Sequence, residues 1–222
     1  MNILFYGDSL TSGENNNFVS YIDYFKSELV DKVESLNIIN KGISGTTFGD
    51  YSIYPVTDGD LLHRLMDTPL ETISKADYIF LEYGLNDSTA IASRYTSIEH
   101  VLISLVKCED LIRQLNLNCK ICFIAFDGQF LERLIAGQTK YLKQDYLKCI
   151  PAISITDSSI LDAYTTISSV ACSVFDQVAS IDVDIDDSYI DDDGLHPNDA
   201  GYRYIGEHLA NVFQSEIMST KD

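Results

Sequence analysis

The sequence predicts an α/β protein in which helices cover both faces of a five-stranded, mostly parallel sheet. Two observations lead to this prediction. Short apolar runs of strand length alternate with longer segments whose apolar residues recur every three to four positions. Polar stretches containing glycine follow several of the apolar runs, as loops at strand ends do. No repeat or linker divides the chain, so we expect one domain over residues 1–222.

Five short apolar runs are predicted to form the strands. The central ones are rich in aromatic and β-branched residues, which is typical of strands buried on both faces. The predicted strands are residues 3–6, 37–40, 78–83, 120–126 and 178–183. In a parallel sheet, ligands bind beyond the carboxyl ends of the strands. We therefore expect a functional site where polar loops follow these strands.

Six longer segments show the helical period. In the first, apolar side chains stand at positions 18, 22, 25, 29 and 33. Pro69 interrupts the second segment, and Pro197 stands at the predicted first turn of the last. The predicted helices are residues 18–36, 61–73, 97–115, 130–149, 161–174 and 198–218.

One stretch is predicted to be a loop, and a second stretch has no clear secondary-structure pattern. Residues 84–87 are predicted to be a loop after the third strand. The pattern is least clear over residues 127–156. Additional packing is the favoured role for that stretch, with substrate specificity and an oligomer contact as the alternatives.

The composition narrows the possible partners. The 222 residues contain 34 acidic and 15 basic side chains, which gives a formal net charge of −19 at pH 7. Such a charge repels phosphate backbones and anionic membrane surfaces, so neither nucleic acid nor membrane is an expected partner. We expect a small-molecule or glycan substrate, and the oligomeric state is left open.

The start of the chain favours a cytoplasmic location. Residues 1 and 2 lead directly into the first predicted strand, so no signal peptide precedes it. No apolar run approaches the length of a membrane span.

The five cysteines do not predict a disulfide framework, because their number is odd and their spacing irregular. Cys119 and Cys122 form a C-x-x-C pair beside an apolar strand. A zinc site would require a second ligand pair, and a redox pair would stand at the start of a helix. Buried free thiols in a reducing compartment are therefore the favoured interpretation.

The aspartates between residues 182 and 193 superficially resemble a calcium loop. The position that requires glycine in such a loop is occupied by Asp187, and the apolar residues between the acids suit a strand end. A solvated acidic rim is favoured, and no metal or cofactor is expected.

A serine nucleophile is predicted at Ser9, in the turn that follows the first strand. Serine needs a base to remove its proton, and His196 is the histidine best placed to act as one. Asp193 lies three residues before it, so its carboxylate can turn onto the imidazole and orient the ring.

Acyl transfer also needs donors for a developing oxyanion. The candidates are the backbone N–H groups of Ser9 and Gly45 and the side-chain amide of Asn86. Each residue alone is commonly found in ordinary turns. Their order after successive strands favours a shared function.

Four motifs in this order resemble the blocks of the SGNH (GDSL) family of serine hydrolases. They are Gly-Asp-Ser-Leu at residues 7–10, Gly-Ile-Ser-Gly at 42–45, Gly-Leu-Asn-Asp at 84–87 and Asp-Gly-Leu-His at 193–196. The resemblance covers nearly the whole chain. It implies a flavodoxin-like, three-layer α/β/α fold and ester hydrolysis through an acyl-enzyme.

The same resemblance implies a role for each matching residue. Ser9 would be the nucleophile, His196 the general base and then acid, and Asp193 its orienting partner. The Ser9 and Gly45 N–H groups and the Asn86 amide would form the oxyanion hole. Asp8 and Asp87 would support the loops that carry these residues.

The leading hypothesis is a hydrolase of short acyl esters, such as acetyl esters of carbohydrates or of other small polar molecules. No long apolar lid segment is visible, which argues against long lipids. An acyltransferase that uses the same site is one alternative. A non-catalytic module that binds a glycan or a protein partner on the same fold is the other.

Overall fold

The computed structural model describes residues 1–51, 59–142, 155–183 and 185–217. Its centre is a five-stranded sheet in the order β2-β1-β3-β4-β5, in which every neighbouring pair is parallel. The strands are β1 (Asn2–Gly7), β2 (Asn37–Asn40), β3 (Tyr78–Glu82), β4 (Lys120–Phe126) and β5 (Gln177–Ile181). The predicted α/β class and all five predicted strands are confirmed.

The described residues contain nine α-helices, packed on both faces of the sheet. They are α1 (Ser9–Ser12), α2 (Tyr21–Leu29), α3 (Leu61–Asp67), α4 (Leu70–Ser74), α5 (Leu85–Ala92), α6 (Ile98–Leu115), α7 (Gly128–Tyr141), α8 (Asp157–Val174) and α9 (Asp199–Val212). A π-helical turn, Phe213–Ile217, follows α9. No helix in the described part of the chain is long and apolar enough to cross a membrane.

Two hydrophobic cores, one on each face of the sheet, produce the three-layer arrangement. Ile3 and Phe5 of β1 point into the first core, which packs against α2 and α9. Leu4 and Tyr6 point into the second, which packs against α3 and α6. Successive side chains of a strand face opposite sides, and here both sides are buried. That burial explains why the central strands β1, β3 and β4 are nearly continuous apolar runs.

The first predicted helix is shorter than its apolar spacing indicated. It begins at Tyr21 because Ser20 caps it: the Ser20 side chain accepts a hydrogen bond from Ile22 N, and Asp23 completes a capping box. Phe18 lies outside the helix and is 71% exposed. The prediction for residues 18–36 is therefore wrong at both ends.

The second predicted helix is divided as Pro69 indicated. The first part, α3, ends at Asp67, and Pro69 is the N-terminal cap of α4. Proline lacks an N–H and clashes with the preceding turn, so it interrupts a helix but can begin one.

The loop predicted at residues 84–87 is instead the start of α5. Its first helical residue is Leu85, and the Asp87 carboxylate accepts a hydrogen bond from Gly84 N. Asn86 therefore stands in the first helical turn. Short helices that begin at glycine have little apolar periodicity, which is why the pattern predicted a loop.

Other helix predictions are confirmed with shifted ends. The segment predicted as 130–149 is helical as α7, and residues 143–154 lie outside the described part of the chain. Thr156 caps α8, which consequently begins four residues before its predicted start at 161. The last predicted helix is α9 with its π-helical turn.

The described cysteines form no disulfide. Cys108, Cys119 and Cys122 are buried and Cys172 is exposed, while Cys149 lies outside the described residues. Burial raises the pKa of the Cys119 thiol to about 12. The C-x-x-C pair therefore consists of buried, protonated thiols.

Gly206 allows α9 to pack closely on α2. A Cβ atom added at Gly206 would lie 2.3 Å from the Tyr21 carbonyl oxygen. We predict that Gly206→Ala lowers the free energy of unfolding by about 1–3 kcal/mol, because the helix backbone must move apart. Denaturant unfolding followed by circular dichroism measures the change.

Glu207→Ala is the matched control, since Glu207 is exposed on the same helix. It should change stability by no more than about 0.5 kcal/mol. Equal losses in the two variants would contradict the close α2–α9 contact.

Candidate active site

The candidate site lies at the carboxyl edge of the sheet, beside the ends of β1 and β3. Ser9 lies two residues after the end of β1 and is the first residue of α1. Asp8 caps this short helix, since its Oδ1 accepts a hydrogen bond from Leu10 N at 3.0 Å. The cap turns the chain sharply after the strand and leaves the Ser9 side chain at the edge of the sheet.

The structure brings Ser9 and His196 together across 187 residues of sequence. The Oγ of Ser9 lies 2.9 Å from Nε2 of His196. On the other side of the ring, Nδ1 lies 2.5 Å from Oδ2 of Asp193. Because a carboxylate only accepts hydrogen bonds, Nδ1 carries the proton and Nε2 is left to accept one from the serine hydroxyl.

A tight turn orients Asp193 toward the His196 ring. Gly194 has a φ of +73°, a backbone conformation that glycine adopts without strain. The second carboxylate oxygen of Asp193 accepts hydrogen bonds from Leu195 N (2.8 Å) and His196 N (2.9 Å). Partial burial opposes ionisation, but the bonds from the His196 ring and these N–H groups lower the pKa of Asp193 to about 2.

Contacts from three other elements hold the histidine loop in place. Asn15 donates a hydrogen bond from Nδ2 to the Pro197 carbonyl at 3.0 Å and accepts one from Tyr202 of α9 at 2.7 Å. On α7, a Cβ added at Gly137 would lie 2.5 Å from the Gly194 carbonyl oxygen. Sequence analysis missed Asn15, because one asparagine in a polar loop carries no pattern.

Asn86 lies beside the other proposed oxyanion-hole residues. Its Nδ2 donates to Asp8 Oδ2 at 3.0 Å and to the Thr46 carbonyl at 3.1 Å. Thr46 follows Gly45 in the loop after β2, which we call the glycine loop. The Asn86 amide therefore links the glycine loop to the turn that carries the nucleophile. Both amide hydrogens are therefore directed at protein acceptors in this state.

The stretch 127–156 also reaches the site through α7. Gln138 is almost completely buried, and its Nε2 lies 3.5 Å from Oδ1 of Asn86. The helix packs on the first core as expected, through residues that include Phe130 and Leu134. Helix α7 therefore both packs on the first core and makes a polar contact with Asn86, a candidate site residue.

Asp87 ties the glycine loop to α5. Its carboxylate accepts hydrogen bonds from Phe48 N (3.0 Å), the Tyr51 hydroxyl (2.7 Å) and Gly84 N (3.1 Å). Burial raises the pKa of Asp87 to about 6 despite these donors. Asp87 thus accepts hydrogen bonds from loop backbone. Its role in supporting the loops, like that of Asp8, stays a prediction from the sequence.

A buried carboxyl pair lies beneath Ser9, and sequence analysis found only one of its members. The carboxyl groups of Asp8 and Glu82 are both almost completely buried, and the Asp8 N–H donates a hydrogen bond to Glu82 Oε2 at 3.4 Å, so the two side chains lie close together. Thr11 donates a further hydrogen bond to Glu82 at 2.9 Å. Burial raises the pKa of Asp8 to about 6 and that of Glu82 well above its usual range. Glu82 was missed because it ends an otherwise apolar strand.

The acidic segment before His196 forms local contacts. Asp186 caps a 3₁₀ turn, and Asp187 forms an ion pair with Arg133 of α7. Within the described residues, which exclude Asp184, no cluster of His, Cys, Asp or Glu has the geometry of a metal site.

The family of the chain follows from its sequence match. Residues 5–204 match the GDSL-like lipase/acylhydrolase family. The match covers most of the chain and contains all four motifs, so the chain belongs to this family. Among curated proteins, no relative matches its sequence.

Solved structures share the fold at low sequence identity. The structure of TesA has a TM-score of 0.65 at 16% identity and covers 96% of this chain and 98% of its own. Esterase EstA from Pseudoalteromonas sp. gives 0.64 at 16% identity, with 98% of both chains covered. A family 3 carbohydrate esterase from Clostridium thermocellum gives 0.61 at 15% identity, with 100% and 99% covered. The chain thus has the SGNH hydrolase fold.

The raised pKa values predict that stability falls as pH increases. In the folded state burial raises the pKa of Asp8 from 3.8 to about 6, and it raises the pKa of Glu82 well above its ordinary value of 4.5. The unfolded chain therefore loses these protons first, and stabilisation is lost as pH rises through the folded pKa values. Glu82→Gln retains a neutral partner for Asp8, so its stability should depend less on pH.

Urea unfolding at about pH 5 and about pH 8 tests this prediction. The free energy of unfolding of Glu82→Gln minus that of wild type should be more positive at pH 8 than at pH 5, by about 1 kcal/mol or more. Glu207→Gln, at an exposed position, is the control. Parallel pH dependence in wild type and Glu82→Gln would contradict the raised pKa of Glu82.

Proposed function

We propose that the chain is a serine-dependent carboxylic-ester hydrolase that works through an acyl-enzyme. The observation that carries this proposal is the hydrogen-bonded series of Ser9, His196 and Asp193, with 2.9 Å between Ser9 Oγ and His196 Nε2. A serine hydroxyl, a neutral imidazole and an ionised carboxylate in that order are the groups that activate serine for attack on an ester. Membership in the acylhydrolase family supports the same chemistry.

In the first half-reaction, Ser9 Oγ would attack the ester carbonyl carbon. His196 Nε2 would accept the hydroxyl proton, and Asp193 would stabilise the resulting imidazolium. The tetrahedral intermediate would then collapse as the carbon–oxygen bond to the alcohol breaks. The alcohol would leave with the proton returned by His196, and the acyl group would remain on Ser9.

The negative oxygen of the intermediate needs hydrogen-bond donors. The N–H of Ser9 is suited to this role, because a group at the first position of a helix has no intrahelical partner. The N–H of Gly45 and the Asn86 amide are the other proposed donors. For Asn86 to donate, one of its bonds to Asp8 or Thr46 must yield to the oxyanion.

In the second half-reaction, water would replace the alcohol. His196 would remove a proton from the water as it attacks the acyl carbon, and would return the proton to Ser9 Oγ as the acyl bond breaks. The products would be a carboxylic acid and free enzyme. No cofactor is required by these steps.

We propose a short acyl ester of a carbohydrate or another small polar molecule as the substrate. Polar groups lie beside α1: Ser12 Oγ donates to the Ser9 carbonyl and lies 3.2 Å from Ser44 Oγ, which donates to Glu14 at 2.6 Å. These groups favour a polar substrate over a long alkyl chain. The carbohydrate esterase among the structures with the same fold supports this choice.

The nucleophile is tested by covalent labelling and by turnover. A fluorophosphonate should label wild type at Ser9, and Ser9→Ala should lose the label. Hydrolysis of a short ester should fall at least about 10³-fold in Ser9→Ala. Ser27→Ala removes an exposed serine of α2 and should leave both unchanged. Unaltered hydrolysis in Ser9→Ala would exclude Ser9 as the nucleophile.

A substrate panel separates the possible activities. Acetyl, butyryl and longer esters should be compared with O-acetylated glycans, and the products analysed with and without an added sugar acceptor. Preferential release of acetate supports the proposed substrate class. Acyl transfer to the acceptor would indicate an acyltransferase, and binding of a glycan without turnover would indicate a binding module.

The role of Asp193 gives a second test of the mechanism. Asp193→Asn cannot stabilise the imidazolium and places an amide where a carboxylate accepts the Nδ1 proton. We expect kcat to fall by about 10²- to 10⁴-fold. Asp192→Asn changes the adjacent, exposed carboxylate and is the matched control. Similar kcat losses in both variants would point to the acidic segment as a whole rather than to Asp193.

A further inference from the structure

A buried arginine outside all four motifs contacts three segments of the candidate site. Arg64 belongs to α3 and is only 6% exposed. Its Nη1 donates to the Tyr83 hydroxyl at 2.7 Å and to the Gly7 carbonyl at 3.3 Å, and lies 3.5 Å from Thr46 Oγ1. One guanidinium nitrogen thus contacts the last residue of β1 and the segments that follow β2 and β3.

Each of these contacts lies close in sequence to a proposed site residue. Gly7 is two residues before the nucleophile, Thr46 follows the glycine of the oxyanion hole, and Tyr83 is three residues before the asparagine. Further hydrogen bonds connect the contacts to one another. Thr46 Oγ1 lies 3.2 Å from the Gly7 carbonyl oxygen and 2.8 Å from that of Ile43, and the Thr46 carbonyl accepts a hydrogen bond from the Asn86 amide.

The guanidinium is itself fixed by its surroundings. Its central carbon lies 5.6 Å from the centroid of the Tyr6 ring. Tyr6 donates a hydrogen bond to Thr68 at 2.8 Å, and Thr68 donates one to the Arg64 carbonyl at 2.7 Å. A rigid fork held in this way keeps its hydrogen-bond partners at set positions.

We propose that Arg64 is a positioning residue that holds the nucleophile, the glycine loop and the asparagine in the relative positions needed to act on one carbonyl group. This inference rests on the proposed function. The three segments come from separate strands, and no covalent link sets their spacing. Arg64 touches neither Ser9 nor Asn86, so it acts through Gly7, Thr46 and Tyr83.

The proposal predicts which kinetic parameter changes. Oxyanion contacts strengthen in the transition state, so misplaced donors lower kcat more than they weaken substrate binding. For Arg64→Ala we expect kcat to fall about 10- to 100-fold, as small misplacements of catalytic groups do. The KM should stay within about threefold of wild type.

Chemical rescue provides a readout that general destabilisation would not produce. Arg64 borders a surface groove of about 390 Å³, which gives a small cation access to the space left by truncation. Guanidinium chloride, well below denaturing concentrations, should restore part of the kcat of Arg64→Ala. Sodium chloride at the same ionic strength should not.

Arg113→Ala is the matched control. Arg113 is partly buried at the opposite edge of the sheet, where it pairs with Glu109 and Asp176 and donates to the Cys119 carbonyl. Its loss should lower stability, leave kcat per folded molecule near wild type and give no response to guanidinium. Melting curves of all variants identify any unfolded fraction.

Two milder variants keep the test decisive if Arg64→Ala does not fold. Arg64→Lys retains the charge without the planar fork, and Tyr83→Phe removes the acceptor of the shortest Arg64 bond. Both should lower kcat with little change in KM. Wild-type kcat in the folded variants, or a loss explained by the unfolded fraction alone, would overturn the proposal.

Failure of this proposal differs from failure of the proposed function. Wild type and Ser9→Ala are measured in the same series. Turnover that disappears with Ser9 but is unaffected at Arg64 contradicts only the positioning role. Absence of turnover and of phosphonate labelling in wild type contradicts the hydrolase itself.

Discussion

The hydrogen bond between Ser9 and His196 is the interaction on which the candidate site depends. It joins the end of the first strand to a loop 187 residues later, so it exists only if α9 is docked correctly. The close α2–α9 contact at Gly206 positions that helix, and Asn15 ties the preceding loop to the segment after α1. The geometry of the site therefore depends on the packing of the first core, because α9 packs in that core and also fixes the position of the loop that carries His196.

Burial sorts the carboxyl groups of this acidic chain into two chemical classes. Asp8, Glu82 and Asp87 are enclosed at the carboxyl edge of the sheet, where desolvation raises their pKa values. Asp193 is partly exposed and accepts three hydrogen bonds, so its pKa is lowered and it remains charged. The buried Asp87 accepts hydrogen bonds from Phe48 N and Gly84 N, and the buried Glu82 accepts them from Asp8 N and the Thr11 hydroxyl.

The sequence predicted the sheet well because the central strands β1, β3 and β4 are almost completely buried and read as apolar runs. Helix ends were less predictable, since they depend on caps such as Ser20 and Thr156 that apolar spacing does not report. The proposed site residues were all named from motifs, and the structure places Ser9, Asp193 and His196 in contact. Glu82, Asn15 and Arg64 were missed, because each acts through contacts between segments distant in the chain.

Local chemistry in the sequence determined the strands, the family and the candidate catalytic residues. Apolar periodicity and turn residues act over a few positions, so one sequence is enough to reveal them. The tertiary structure alone decided which groups meet at the carboxyl edge of the sheet. It placed a buried carboxyl pair beside the nucleophile and a guanidinium between three segments of the site. Such arrangements arise from packing across the sheet, where burial and distance, rather than sequence neighbours, set hydrogen bonding and pKa.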